Sequence, residues 1–126
     1  MIALYTSSIP REIKISGTAD EWSTFAKMVC KDRSEIVCEM VENPSPYSSA
    51  APKIVIYHND AKRLSIDVNE EGNIFVAGSP EASGELSKAI FAFANEFHSG
   101  EHYHIDYQGH KYFVAEGSSS TVLYME

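Results

Sequence analysis

Two histidines and an aspartate are spaced two residues apart near the C-terminal end of the chain, at His102, His104 and Asp106. Polar and apolar residues alternate around them, which predicts a half-buried strand. Successive side chains of a strand point to opposite faces, so these three polar side chains share one face, and the apolar residues between them pack on the other. Imidazoles and a carboxylate on an exposed face can bind a partner or a metal ion, which makes this face the first candidate site.

The spacing of His102 and His104 would let one strand offer two imidazoles to a single metal ion. Side chains two residues apart on a strand are roughly 6.5–7 Å apart, whereas His102 and Asp106 are roughly 13 Å apart, so all three cannot bind one ion without a bend. A third ligand could come from another histidine of the chain: His58, His98 or His110. A metal-binding protein or a metal-dependent enzyme that uses His102 and His104 is therefore an alternative, beside a purely structural role for the pair.

The nucleophiles of the chain lack the context that catalysis requires. Ser118, Ser119 and Ser120 follow a glycine in a loop pattern without a GxSxG elbow. Cys30 and Cys38 occupy apolar-patterned positions, where buried thiols are expected. The glycines form no phosphate-binding loop. The sequence therefore predicts no catalytic residues and no cofactor, and it disfavours an enzyme of a standard class.

Length and charge limit the class of partner. The chain has 126 residues, which favours a single domain over 1–126. Eighteen acidic against ten basic side chains give a net charge of −8, which argues against nucleic acid or an anionic membrane as the partner and favours a basic protein.

No apolar run is long enough to span a membrane, and the first residues lack a signal-peptide pattern, so we expect a cytoplasmic protein.

Periodicity predicts two amphipathic helices and six or more strands. Thr18 and Glu21 form a capping box before a helix that ends near Lys31. Ser79 and Pro80 begin a longer helix that runs to Gly100. The strands are predicted over these segments: 12–15, 34–42, 53–58, 64–69, 73–78, 102–106, 112–114 and 121–124. The three strands from 53 to 78 are connected by turn residues and predict a meander.

These elements predict an α+β fold, an antiparallel sheet of about six to seven strands with both helices packed on one face. The other face stays open. We expect partner-binding residues on that open face, mainly acidic with imidazoles between them: Glu39, Asp67, His102, His104 and Asp106, accompanied by Ser65. Tyr47, in a proline-rich loop, is a further candidate contact. The open sheet and its edges could equally pair with a second copy, so a homo-oligomeric structural protein is another alternative, and a homodimer is compatible with the sequence.

The order of several motifs resembles an immunity-protein family of bacterial polymorphic toxin systems, the one numbered thirty-two in that series. The similarity covers the second half of the chain, from Leu64 to Tyr124, and Trp22 corresponds to a tryptophan of the family. The matching segments are the strand and turn from Asn73 to Ala82, the helix that follows, Gly100-x-His102-x-His104 with Asp106, and Ser120-x-x-Leu123.

The resemblance implies a small cytoplasmic antitoxin that is encoded beside a secreted toxin. Such a protein binds the toxin domain and neutralises it without doing chemistry. Gly100, His102 and His104 are the positions that carry the match. An acidic inhibitor would suit a basic toxin, because complementary charge accelerates association.

Overall fold

The computed structural model describes residues 2–8, 11–38, 45, 49–50 and 53–126. Over these ranges the chain forms two helices and nine strands, the fourth of which has only two residues. In chain order they are β1 Ala3–Ser8, β2 Arg11–Gly17, α1 Ala19–Val29, β3 Ser34–Val37, β4 Ser49–Ala50, β5 Lys53–His58, β6 Ser65–Val68, β7 Ile74–Gly78, α2 Pro80–Glu96, β8 His102–Ile105 and β9 Ser120–Met125. The α+β class is confirmed.

The strands form two mixed sheets, so the prediction of one antiparallel sheet is wrong. One sheet has the order β4-β1-β2-β9-β8 and the other the order β3-β5-β7-β6. In each sheet one neighbouring pair is parallel, β2 with β9 and β5 with β7, and the other pairs are antiparallel. Alternation of polar and apolar residues identifies a strand, but it does not say which strand lies beside it, and this is why the pairing was missed.

The strands of the predicted meander are present, but their order in the sheet differs from the prediction. All three of its strands exist as β5, β6 and β7, but β7 lies directly beside β5, and β6 is on the far side of β7. The predicted strand over 112–114 is a turn with one isolated bridge between Leu64 and Val114. The first strand, β1, was not predicted from the sequence. The prediction for 34–42 is confirmed as far as β3, and the segment beyond Cys38 lies outside the described residues.

Both helices begin where their caps predict. The Thr18 hydroxyl accepts from the backbone N–H of Glu21, whose carboxylate accepts in return from the N–H of Thr18. The Ser79 hydroxyl accepts from the backbone N–H of Ala82 at the start of α2. These bonds satisfy N–H groups that have no partner inside a helix. The two helices pack against each other, and their apolar stripes face the inner sides of the sheets.

The core is shared by both sheets and both helices. Side chains from both sheets and both helices surround the same small internal cavity: Ile15, Ile105 and Leu123 of the five-stranded sheet, Ile66 and Val76 of the four-stranded sheet, Phe25 of α1, and Leu86 and Ile90 of α2. Each of these residues is almost fully buried. Because both described helices pack on the inner sides, neither lies on the outer side of the five-stranded sheet, and this outer side includes the histidines of β8.

The two cysteines have different environments, which corrects the expectation that both are buried. Cys30 ends α1 and is exposed, whereas Cys38 is buried, and its burial raises the thiol pKa to about 11. The thiolate is the reactive form of cysteine. We therefore predict that a thiol reagent at pH 8 modifies Cys30 of the folded chain quickly and Cys38 only after unfolding. Peptide mapping that found Cys38 modified as fast as Cys30 in the folded chain would contradict this.

No helix among the described residues is long and apolar enough to cross a membrane.

Candidate functional site

The strand that carries the histidines forms as predicted, and it is the edge strand of the five-stranded sheet. Gly100, at φ 88°, makes the turn from α2 into β8, a backbone conformation that glycine adopts without strain. His102 and His104 are exposed, while Ile105 is buried and Tyr103 is half-buried. The alternation of the sequence therefore corresponds to an outer and an inner face.

Aromatic packing behind the histidines fixes β8 in place. The Tyr103 ring lies against Phe93 and Phe97 of α2, with ring centroids 6.4 and 5.7 Å away. The Tyr103 hydroxyl is 2.7 Å from Nε2 of His110, and burial raises the pKa of this phenol. A strand that is anchored on its inner side presents its outer side chains with little loss of backbone freedom on binding, which favours recognition.

The outer side of the sheet places aromatic residues and one lysine beside the histidines. The register puts His104 across from Val122, Val122 across from Lys14, and His102 across from Tyr124. The Lys14 ammonium lies over two tyrosine rings, 4.9 Å from the centroid of Tyr5 and 4.7 Å from that of Tyr124. The rings of His102 and His104 are edge to face, with centroids 5.3 Å apart. We call these six residues the histidine face: Tyr5, Lys14, His102, His104, Val122 and Tyr124.

Lys14 and the tyrosines were missed as site residues in the sequence. The alternation over residues 12–15 does place Lys14 on a polar face. In the structure β2 runs parallel to β9, so only β9 separates it from β8. No local sequence pattern predicts this pairing, because β2 and β9 are about a hundred residues apart in the chain.

Three carboxylates stand at the ends of the strands that bear the histidine face. Glu101, just before β8, accepts a hydrogen bond from the backbone N–H of His98 at 2.6 Å. Asp106, just after β8, accepts one from the N–H of Gly109 at 2.7 Å. Glu126, after β9, accepts one from the Ser16 hydroxyl at 2.7 Å. Asp106 thus lies beyond the end of the strand and also stabilises the turn that follows, and its part in binding stays a prediction.

Asp67 does not share the face of the histidines, so that placement is corrected. It lies on β6 in the four-stranded sheet, as does Ser65. The Asp67 carboxylate accepts from the Ser119 hydroxyl at 2.7 Å and from the backbone N–H of Val68 at 2.9 Å. These bonds tie β6 to the segment that leads into β9, which is a structural task. Glu39 and Tyr47 lie outside the described residues.

The histidines named as further metal ligands are not assembled around the pair. His58 lies within hydrogen-bond distance of the carbonyl of Val29, His110 bonds Tyr103 on the inner side of β8, and His98 is in the turn after α2. Within the part of the chain that the structure describes, no three histidine, cysteine, aspartate or glutamate side chains are grouped to hold a metal ion. His102 and His104 could therefore supply two ligands, with the remaining positions left to solvent or to a partner.

A concave region lies away from the histidines. It is an apolar groove of about 270 Å³ between α1 and β3, lined by Ile2, Phe25, Ile36 and Val37 and bordered by Asp20 and Glu21. Val37, in this groove, is 70% exposed. Its polar lining consists of Asp20, Glu21 and the Thr24 hydroxyl, and the described residues there form no group of three metal ligands, so we do not take the groove as the candidate site.

Comparisons with models of protein families, with curated proteins and with solved structures found no match to this chain.

Proposed function

We propose that this chain is an immunity protein that binds and neutralises a cognate bacterial toxin domain. The observation that carries the proposal is the histidine face: two exposed imidazoles on a strand anchored from behind, on the side of the sheet that faces away from the two described helices. The resemblance of the Gly100-x-His102-x-His104 motif and its neighbours to an immunity-protein family supports it. Such a protein acts by occupying the toxin, without catalysis of its own.

The composition of the face suits protein recognition. Tyrosine rings supply large contact areas at a small entropic cost, and imidazoles both donate and accept hydrogen bonds. Residues of this kind near the centre of an interface carry most of the binding energy, while the surrounding contacts exclude water. His102 and His104 are the most exposed members of the face and are therefore the proposed anchors.

Charge supports a basic toxin as the partner. The chain carries a net charge of −8, and Glu101, Asp106 and Glu126 lie at the ends of β8 and β9. A negative field around the binding face accelerates the encounter with a positively charged protein and discriminates against acidic ones. We therefore expect the association rate to fall as the salt concentration rises.

Loss of both imidazoles should weaken the complex strongly. We predict that the double variant His102→Ala/His104→Ala binds the toxin domain encoded by the neighbouring gene about 30-fold to several hundred-fold more weakly, as expected for the loss of two anchors. Isothermal titration calorimetry measures the effect. The single variant His104→Ala should cost more than about 1 kcal/mol of binding free energy.

Tyr57→Ala is the matched control. Tyr57 is an exposed aromatic residue on β5, in the other sheet, where its ring stacks on Phe75. Its replacement should leave the affinity unchanged. A toxin affinity that is the same for the folded double variant and for the wild type would remove the histidines from the binding site. Failure of the wild-type chain to form any complex would overturn the proposed function.

A further inference from the structure

Within the described ranges, the outer edge of β8 carries main-chain groups that no strand pairs with. The N–H of Met125 donates to the carbonyl of Glu101 at 2.9 Å, so these two residues form a hydrogen-bonded pair. This pair comes directly before the pair of His102 with Tyr124, the first pair of β8 and β9. In an antiparallel ladder, residues that bond across the strands alternate with residues that do not. Tyr103 and Ile105 therefore bond to β9. His102 and His104 direct their N–H and C=O groups away from β9, toward the edge.

No strand in the described part of the chain pairs with that edge. The sheet order ends with β8, and no described strand lies on its outer side. Both residues with outward-directed main-chain groups are also those whose side chains are exposed. An edge strand of this kind is a template for a further strand, with main-chain bonds supplying affinity and neighbouring side chains supplying selectivity.

We propose that an extended, basic segment of the toxin pairs with β8 as an added strand, bonding the main chain of His102 and His104. This inference rests on the proposed function and names the mode of binding. The imidazoles then flank the added strand on the outer face of the sheet. Because the outward-directed groups belong to alternate residues, a segment of about three residues is enough to use them all.

Charge selects a basic segment as the occupant of the edge. The carboxylates of Glu101 and Asp106 lie immediately before and after β8 and are each held by a backbone N–H. Basic side chains of an added strand would pair with them. A second copy of this chain fits less well, because each copy carries a net charge of −8 and the same two carboxylates at the edge.

Hydrogen exchange of the wild-type chain tests the added strand without any substitution. In the free chain, the amides of His102 and His104 should exchange fast and those of Tyr103 and Ile105 slowly. In the complex with the toxin domain encoded by the neighbouring gene, the two histidine amides should slow at least about tenfold, as a new hydrogen bond requires. A complex in which they exchange as fast as before would overturn the added strand and leave the proposed function intact. Absence of a complex would overturn both.

Two variants at position 104 distinguish the contribution of the main-chain hydrogen bond to affinity from that of the imidazole. His104→Pro removes an N–H that faces the edge, a position at which strands tolerate proline. His104→Val removes the imidazole and keeps the N–H. Both variants should keep the wild-type circular dichroism spectrum, and His104→Pro should bind the toxin domain about tenfold more weakly than His104→Val. Equal affinities of the two folded variants would contradict the proposal, and if His104→Pro does not fold, the exchange experiment decides.

Sedimentation identifies the occupant. The chain alone should stay monomeric at concentrations at which the toxin domain saturates it. Dimers in the absence of toxin, with His102 and His104 amides protected in the dimer, would assign the edge to a second copy and overturn the toxin segment as its occupant.

Discussion

Trp22→Ala should lower the free energy of unfolding by about 3–5 kcal/mol, the cost of removing a large buried aromatic side chain. Trp22 is fully buried in α1, with its ring edge to face with Phe93 at 5.3 Å. Its indole Nε1–H donates to the carbonyl of Tyr124 at 3.1 Å. Since Tyr124 pairs with His102 in the register of β8 and β9, this one side chain connects α1 and α2 to the strand beside the histidines.

Urea denaturation measures the change, and Trp22→Phe is the control. Phenylalanine keeps much of the apolar volume but leaves the Tyr124 carbonyl without its donor, so its cost should be clearly smaller than that of alanine. A Trp22→Ala variant that lost less than about 1 kcal/mol would show that the core collapses around the gap, and that Trp22 does not hold the layers together.

Gly78→Ala should destabilise the chain by about 1–3 kcal/mol through overpacking. A Cβ atom at this position, the last residue of β7, would lie 2.8 Å from the carbonyl oxygen of Arg63 and 2.8 Å from Cδ2 of Leu64. Leu64 is fully buried, and a backbone oxygen cannot move without shifting the chain that leads into β6. The expected result is a lower urea midpoint with an unchanged slope.

Gly84→Ala should have the opposite effect on stability in the same urea denaturation experiment. Gly84 lies inside α2, and a Cβ atom there would meet nothing within 4 Å. Alanine should stabilise the helix by about 0.5–1 kcal/mol because it restricts the unfolded chain. A Gly78→Ala variant as stable as Gly84→Ala would mean that β7 and the chain around Leu64 do not approach as closely as the structure shows.

Local elements could be predicted from the sequence because their signals are local. The capping box at Thr18, the Ser79-Pro80 start of α2 and the alternation around His102 and His104 each depend on residues within a few positions of one another. All three appear in the structure at these places. The strand that presents the candidate site was therefore identified correctly, as was the exposure of its two histidines.

Pairing between distant strands could not be predicted. The parallel contacts of β2 with β9 and of β5 with β7 divide the strands into two sheets, and this division separates Asp67 from the histidines. The same pairing brings Lys14 and Tyr5 beside them. A strand with alternating polar and apolar residues can bury its apolar face in either sheet. The sequence pattern alone therefore does not determine which residues lie beside His102 and His104.

Titration of toxin activity with the purified chain is the most direct test of the proposed function. The toxin domain encoded by the neighbouring gene would be assayed for its own activity, or for growth arrest in cells, with increasing amounts of this chain. The account predicts that activity falls linearly to zero at one chain per toxin, and that the His102→Ala/His104→Ala variant requires a large excess. A toxin that keeps full activity in the presence of excess folded wild-type chain would contradict the account.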